Sequence, residues 1–218
     1  RQLPADLTGS IIQIRPHLTL AQVFEPSRFQ GGTSAARADQ VCFFTASGWQ
    51  THWLFQSGAT RRWVRAGDAS LLDAGAALVP PGTGVMVKIQ STALAFTHCG
   101  HVRTSAFRRP LQTGANFLAS PWPLNGTPNG WQINAANGFT AGANPAASDQ
   151  VQIWNGAAYD SYWLLRQGGG SILTPLGSAA LTDVGDTLPL PAGGAFFLRV
   201  QPATAAQGWN ILPPVAAP

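Results

Sequence analysis

Hydrophobic and polar residues alternate over short stretches bounded by Gly, Asn, Asp and Pro, the pattern of half-buried strands rather than helices. Gln150 to Trp154 alternates and runs into Asn155-Gly156, a strong hairpin signal, with Ser161 to Arg166 as the aromatic-rich return strand. Val41–Phe44, the Ser47-Gly48 turn and Thr51–Gln56 have the same form. Arg62 to Arg65 predicts the third strand of a meander, and Pro80-Pro81-Gly82 leads into another strand over Val85–Gln90. The Ala-rich stretches near residues 74–77 and 203–206 are too short and too interrupted by Gly and Pro to hold a helix alone. One helical turn is predicted near Leu18–Phe24.

The pattern occurs twice. Ala38-Asp39-Gln40-Val41-Cys42-Phe43-Phe44 matches Ser148-Asp149-Gln150-Val151-Gln152-Ile153-Trp154, and Trp49–Phe55 falls on Tyr159–Leu165, both at an offset of 110 residues. Gly82–Gln90 lies over Gly193–Gln201 at an offset of 111, and Thr8-Gly9 with Pro16 over Thr113-Gly114 with Pro121 at 105. A period of about 110 exceeds the roughly 20–45 residues of a solenoid unit, so each copy is a small domain or half of a two-lobed one. The expected fold is all-β, a tandem duplication of a meander- or sandwich-like unit with little helix. The expected division is a first repeat over 1–100, a second over 101–212 and a Pro/Ala-rich tail over 213–218.

Composition narrows the function classes. Of 218 residues, 24 are Gly and 17 Pro, and only 10% are charged, which excludes a coiled coil and a charge-rich disordered chain. No apolar run reaches the roughly 18 residues of a membrane helix. The chain opens on Arg1 rather than Met, which predicts a processed product or a fragment whose export signal is already removed. Residues 1–109 carry eleven basic and five acidic groups, a net of +6; residues 110–218 carry two and four, a net of −2. The Arg residues are scattered and accompany no recognition motif, so nucleic acid is not an expected partner.

The candidate chemistry is thin. Asp39 and Asp149 recur just before a strand, where a carboxylate accepts backbone hydrogen bonds at a turn; Asp68/Asp73 and Asp183/Asp186 sit in the Gly-rich loops and read the same way. No nucleophile elbow, zinc-protease helix or phosphate loop is present, and no catalytic, cofactor or metal residue is expected. His98-Cys99-Gly100-His101 with Cys42 offers four zinc-ligand types, but on a strand positions 98 and 101 face opposite ways. Cys42 and Cys99, the two cysteines of an exported chain, are expected to form a disulfide. Trp53 and Trp163 recur as a repeated core demands, whereas Trp122 and Trp209 are the better candidates for stacking on glycans.

The recurring Ala/Ser-Asp-Gln-Val, the aromatic hairpin from Asn155-Gly156 to Tyr162-Trp163-Leu164, and Pro-x-Gly leading to Phe196-Phe197-Leu198-Arg199 resemble a group of exported bacterial two-repeat proteins of unknown function. The resemblance covers roughly residues 8–90 and 113–201, with Phe43-Phe44 and Val85-Met86 departing from it in the first copy. It implies export and a β-fold, and no catalytic residue to transfer.

The ends add the last expectation. Copy two is preceded by a candidate strand, His101–Phe107, that copy one lacks, and Gly208-Trp209-Asn210-Ile211-Leu212 looks like a spare hydrophobic strand. Arg1, Leu3 and Leu7 at one end and Trp209, Ile211 and Leu212 at the other are therefore the expected assembly residues. They point to a non-enzymatic extracellular or cell-surface protein that polymerises head-to-tail with strand donation, a filament subunit. The alternative is a secreted carbohydrate-binding β-module.

Overall fold

A computed structural model describes residues 16–90, 106–120 and 122–213. Copy one opens with a short strand β1 (Leu18–Thr19) and a single helical turn α1 (Leu20–Val23), the turn expected from the sequence. Thr19 caps α1 in a reciprocal capping box with Gln22. A meander follows: β2 (Gln40–Thr45), β3 (Gly48–Ser57) and β4 (Thr60–Arg65). After β5 (Leu78–Val79), which pairs with β1, strand β6 (Val85–Lys88) returns antiparallel to β2, giving a sheet in the order β4-β3-β2-β6.

Copy two repeats this, and the described residues extend to either side of it. Strands β7 (Phe107–Arg109) and β8 (Gly114–Ala119) precede the meander β9 (Gln150–Trp154), β10 (Tyr159–Gln167) and β11 (Gly170–Pro175). Strand β12 (Ala195–Val200), helix α2 (Pro202–Gln207) and β13 (Trp209–Ile211) complete it. The main sheet runs β11-β10-β9-β12-β8, and β13 pairs with β7. The fold is thus all-β, a tandem duplication of one sheet unit. The hairpin register is the same in both copies: Phe44 faces Trp49 and Trp154 faces Tyr159 across the turn.

Each sheet buries one face. In copy one Val41, Leu54 and Trp63 pack on Leu20, Phe24 and Phe29, and the Trp63 indole donates to the Phe24 carbonyl at 2.8 Å. In copy two Val151, Leu164, Leu173, Phe196 and Leu198 pack under Trp122, Trp131 and Ile133 from the long loop, and under Trp209 and Ile211. Trp53 and Trp163, on the opposite faces, are buried as well.

Four sequence expectations change here. The Ala-rich stretch at 203–206, read as too short to hold a helix alone, lies in α2, with Pro202 in its first turn and Gly208 at its C-cap. The Trp209–Leu212 stretch is not spare: Trp209, Asn210 and Ile211 pair with Arg109, Arg108 and Phe107 of their own copy. Trp209 and Ile211 are each only 1% exposed, and the Trp209 indole donates to the Trp131 carbonyl at 2.8 Å. Trp122, expected at the surface between two prolines, is buried in the same core. The Cys42–Cys99 disulfide is overturned, because Cys42 is a free thiol. It is buried on β2 between its cross-strand neighbours Thr51 and Met86, with Sγ 3.4 Å from the Thr51 hydroxyl, while Cys99 lies outside the described residues.

Replacing Trp209→Ala empties a ring-sized volume from the copy-two core and should cost about 3–5 kcal/mol in denaturant unfolding. A cost below about 1 kcal/mol would show that the tail strand is not part of that core.

Candidate functional site

The residues that recur most strictly are structural staples. Asp39, 1% exposed, accepts the Gln30 and Gln90 amides at 2.7 Å each, one on either carboxylate oxygen. Asp149, equally buried, accepts Thr140 at 2.8 Å and Gln201 at 2.7 Å in the same way. Each carboxylate therefore ties the loop before the meander to the chain leaving the last strand. The neighbouring Gln40 and Gln150 side chains each donate to the carbonyl of a one-turn 3-10 helix, Ala35 and Pro145, at 2.7 Å. In copy two the Thr204 hydroxyl also donates to the Asp149 carboxylate at 2.5 Å.

Burial raises the Asp149 pKa above the ordinary carboxylate value, and outweighs the hydrogen bonds from Thr204, Gln201 and Thr140 that pull it down. The folded state therefore takes up this proton more readily than the unfolded chain. Its stabilising contribution is complete below the unfolded value and is lost as pH rises through the raised one.

Three of the four loop acids are likewise engaged. Asp68 accepts the Ser70 and Leu72 amides, Asp73 the Gly75 amide, and Asp183 those of Leu173 and Gly185. Among the described residues no three His, Cys, Asp or Glu side chains gather into a metal site. His98, Cys99 and His101 lie outside those residues, as do Arg1, Leu3 and Leu7. His52 is buried on β3, its pKa lowered first by burial and then by the Arg65 charge. Among the described residues no helix is long and apolar enough to cross a membrane.

What the structure brings together is a joint between the two copies. The tip of the β2–β3 hairpin carries Phe44 and Trp49 edge-to-face, with ring centroids 5.3 Å apart. This pair meets the outer face of the second sheet. Phe44 lies 5.2 Å from Phe197, and Trp49 lies 5.2 Å from Phe117 and 6.1 Å from Phe197. Beside the rings the backbones pair: the Gly84 amide donates to the Phe117 carbonyl at 3.1 Å, and the Ala119 amide to the Gly82 carbonyl at 2.9 Å. A Cβ on Gly84 would sit 2.9 Å from the backbone of β8, so only glycine permits this approach. The Arg109 guanidinium closes the joint with a 2.5 Å bond to the Pro81 carbonyl.

The joint is heterologous. Copy one contributes a hairpin tip and copy two a sheet face. Copy two has the same tip: Trp154 and Tyr159 stand edge-to-face at 5.1 Å, and are 51% and 42% exposed. The sequence held a signal for this that the core-first reading passes over. Phe44/Trp154, Trp49/Tyr159 and Phe197 fall on the strand positions that face away from the core, where a one-sided sheet would carry polar residues.

Two open grooves of about 330 and 410 Å³ flank the joint, and neither gathers a set of reactive groups. No family model, curated protein or solved structure matches the chain.

Two outcomes test this account of the staples. Asp149→Asn leaves an amide N–H facing the Thr140 amide and should cost about 1–3 kcal/mol at neutral pH. Because the variant lacks the proton uptake, its deficit against the wild type should widen as pH falls, as read by denaturant titrations; a constant or narrowing gap contradicts the raised pKa. Native protein treated with a thiol reagent should leave Cys42 unlabelled until denaturant is added, as peptide mass spectrometry would detect.

Proposed function

We propose that the protein is a non-enzymatic structural subunit, exported and extracellular or cell-surface, that assembles head-to-tail into filaments. The observation that supports this most directly is the joint inside the chain. Two homologous copies are held by a contact that uses a different surface on each, and such contacts propagate unless the rotation between units closes a ring. The charge asymmetry, +6 in the first half and −2 in the second, favours the same polarity over head-to-head or tail-to-tail encounters.

The Trp209–Ile211 segment expected to donate a strand is committed to its own copy, so the reading rests on the joint and the charge asymmetry, not on the tail.

The carbohydrate-binding alternative loses the two residues first expected to carry it, since Trp122 and Trp209 are buried. The exposed Trp154–Tyr159 pair is the surface on which it would now rest, an aromatic platform of the kind sugars stack on.

Sedimentation and negative-stain microscopy of the full chain across concentration should show linear polymers that shorten on dilution. A protein that stays monomeric at every concentration sinks the assembly reading. Retardation in polysaccharide gels, abolished by Trp154→Ala, would then favour sugar binding.

A further inference from the structure

Each half of the joint inside the chain has a counterpart in the other copy, and the repeat says which residues form it. At the offset of 110, Phe44 and Trp49 correspond to Trp154 and Tyr159; at the offset of 111, Phe197 corresponds to Met86. Trp154 and Tyr159 are 51% and 42% exposed on the hairpin tip of copy two, where Tyr159 also stands edge-to-face with Phe197 of its own copy at 5.4 Å. Met86 is 45% exposed on the outer face of β6, as Phe197 lies on the outer face of β12. An isolated large apolar side chain on a surface needs no explanation, but three at the positions that would extend an existing joint do.

We propose that the Trp154–Tyr159 hairpin tip of one molecule docks on the Met86 face of a second copy of this chain, repeating between molecules the contact that Phe44 and Trp49 make with Phe197 within one. This deepens the head-to-tail reading and rests on it.

The partner is a second copy for two reasons on the surfaces themselves. The tip reproduces the geometry of the engaged pair: the rings stand edge-to-face at 5.1 Å in copy two and 5.3 Å in copy one, on the same cross-strand register. The half that presents the tip is net acidic, and the half that would receive it net basic. The new joint is not an identical one. Ala195 stands where Gly84 stands but is already paired with Ala119 of β8 in its own copy, so no backbone pairing of the Gly84 kind accompanies the rings. Ring and thioether contacts therefore carry the contact between molecules, and S–aromatic packing suits Met86 to that role. The joint between molecules is accordingly weaker than the tethered one within the chain and more responsive to concentration.

The test uses two full-length variants, Trp154→Asp for the tip and Met86→Asp for the face. Both positions are exposed, and unchanged melting temperature and near-ultraviolet circular dichroism would verify the fold of each variant. At concentrations where the wild type polymerises, each variant alone should sediment as a monomer, its self-association weakened about 100-fold or more, as loss of central aromatic contacts produces. Mixed in equal amounts, the two should form a one-to-one heterodimer and nothing larger, because each retains the half that the other has lost. Wild-type-like polymers from either variant would overturn this joint while leaving head-to-tail assembly standing. A wild type that never associates would overturn the assembly reading itself, and this inference with it. Retention on polysaccharide by a monomeric wild type, lost in the tip variant, would assign the tip to sugar and also overturn the proposal.

Discussion

Each copy is built around one buried carboxylate. A sheet made of a meander plus a returning strand has to bring back chain that has left it, and in both copies the return is fixed by an aspartate at the foot of the first meander strand. Asp39 and Asp149 receive one backbone amide from the loop before them and one from the segment beyond the last strand, about fifty residues away. Backbone amides that turn inward need an acceptor, and a carboxylate offers two oxygens where a carbonyl offers one. The cost is desolvation of the charge, visible in the raised pKa of Asp149. This staple sets the register of the last strand against the first, and so decides which side chains face the core and which face outward.

The outward face follows from that register. Once Val41 and Val151 point into their cores, the residues at the turn end of each hairpin have their faces assigned, and Phe44, Trp49, Trp154 and Tyr159 stand on the far side. A one-sided sheet normally exposes polar residues there. Here the first pair packs on Phe117 and Phe197 of the other copy, while in the second Tyr159 packs on Phe197 of its own copy and Trp154 is 51% exposed. The same physics that makes a duplicated unit fold twice makes it meet its twin with unlike surfaces. A contact of that type is satisfied in the middle of an array and unsatisfied at its ends.

The alternation of apolar and polar residues, the Asn155-Gly156 turn and the four repeated blocks led directly to an all-β duplicated fold, because strand periodicity and hairpin turns are local properties. The single helical turn at Leu20–Val23 was legible for the same reason. Asp39 and Asp149 were also legible as acceptors of backbone hydrogen bonds, although not as staples, since the amides from Gln90 and Gln201 come from across the fold. Trp122 and Trp209 were misassigned to the surface: a tryptophan between prolines, or near a chain end, has no periodic pattern to place it. Both are covered by long-range packing on Trp131, Phe196 and Phe107.

Chain pattern alone thus determined the strands, their turns, the duplication and the two aspartates, each decided within a few residues of its neighbours. Tertiary structure decided the rest: that Trp209–Ile211 closes its own copy against β7, that Cys42 keeps a free thiol between Thr51 and Met86, and that one aromatic hairpin tip packs on the other copy while its twin does so only on its own. Those outcomes turn on which surfaces meet after folding, and residues like Phe44 and Trp154, equivalent in sequence, differ in which copy lies against them.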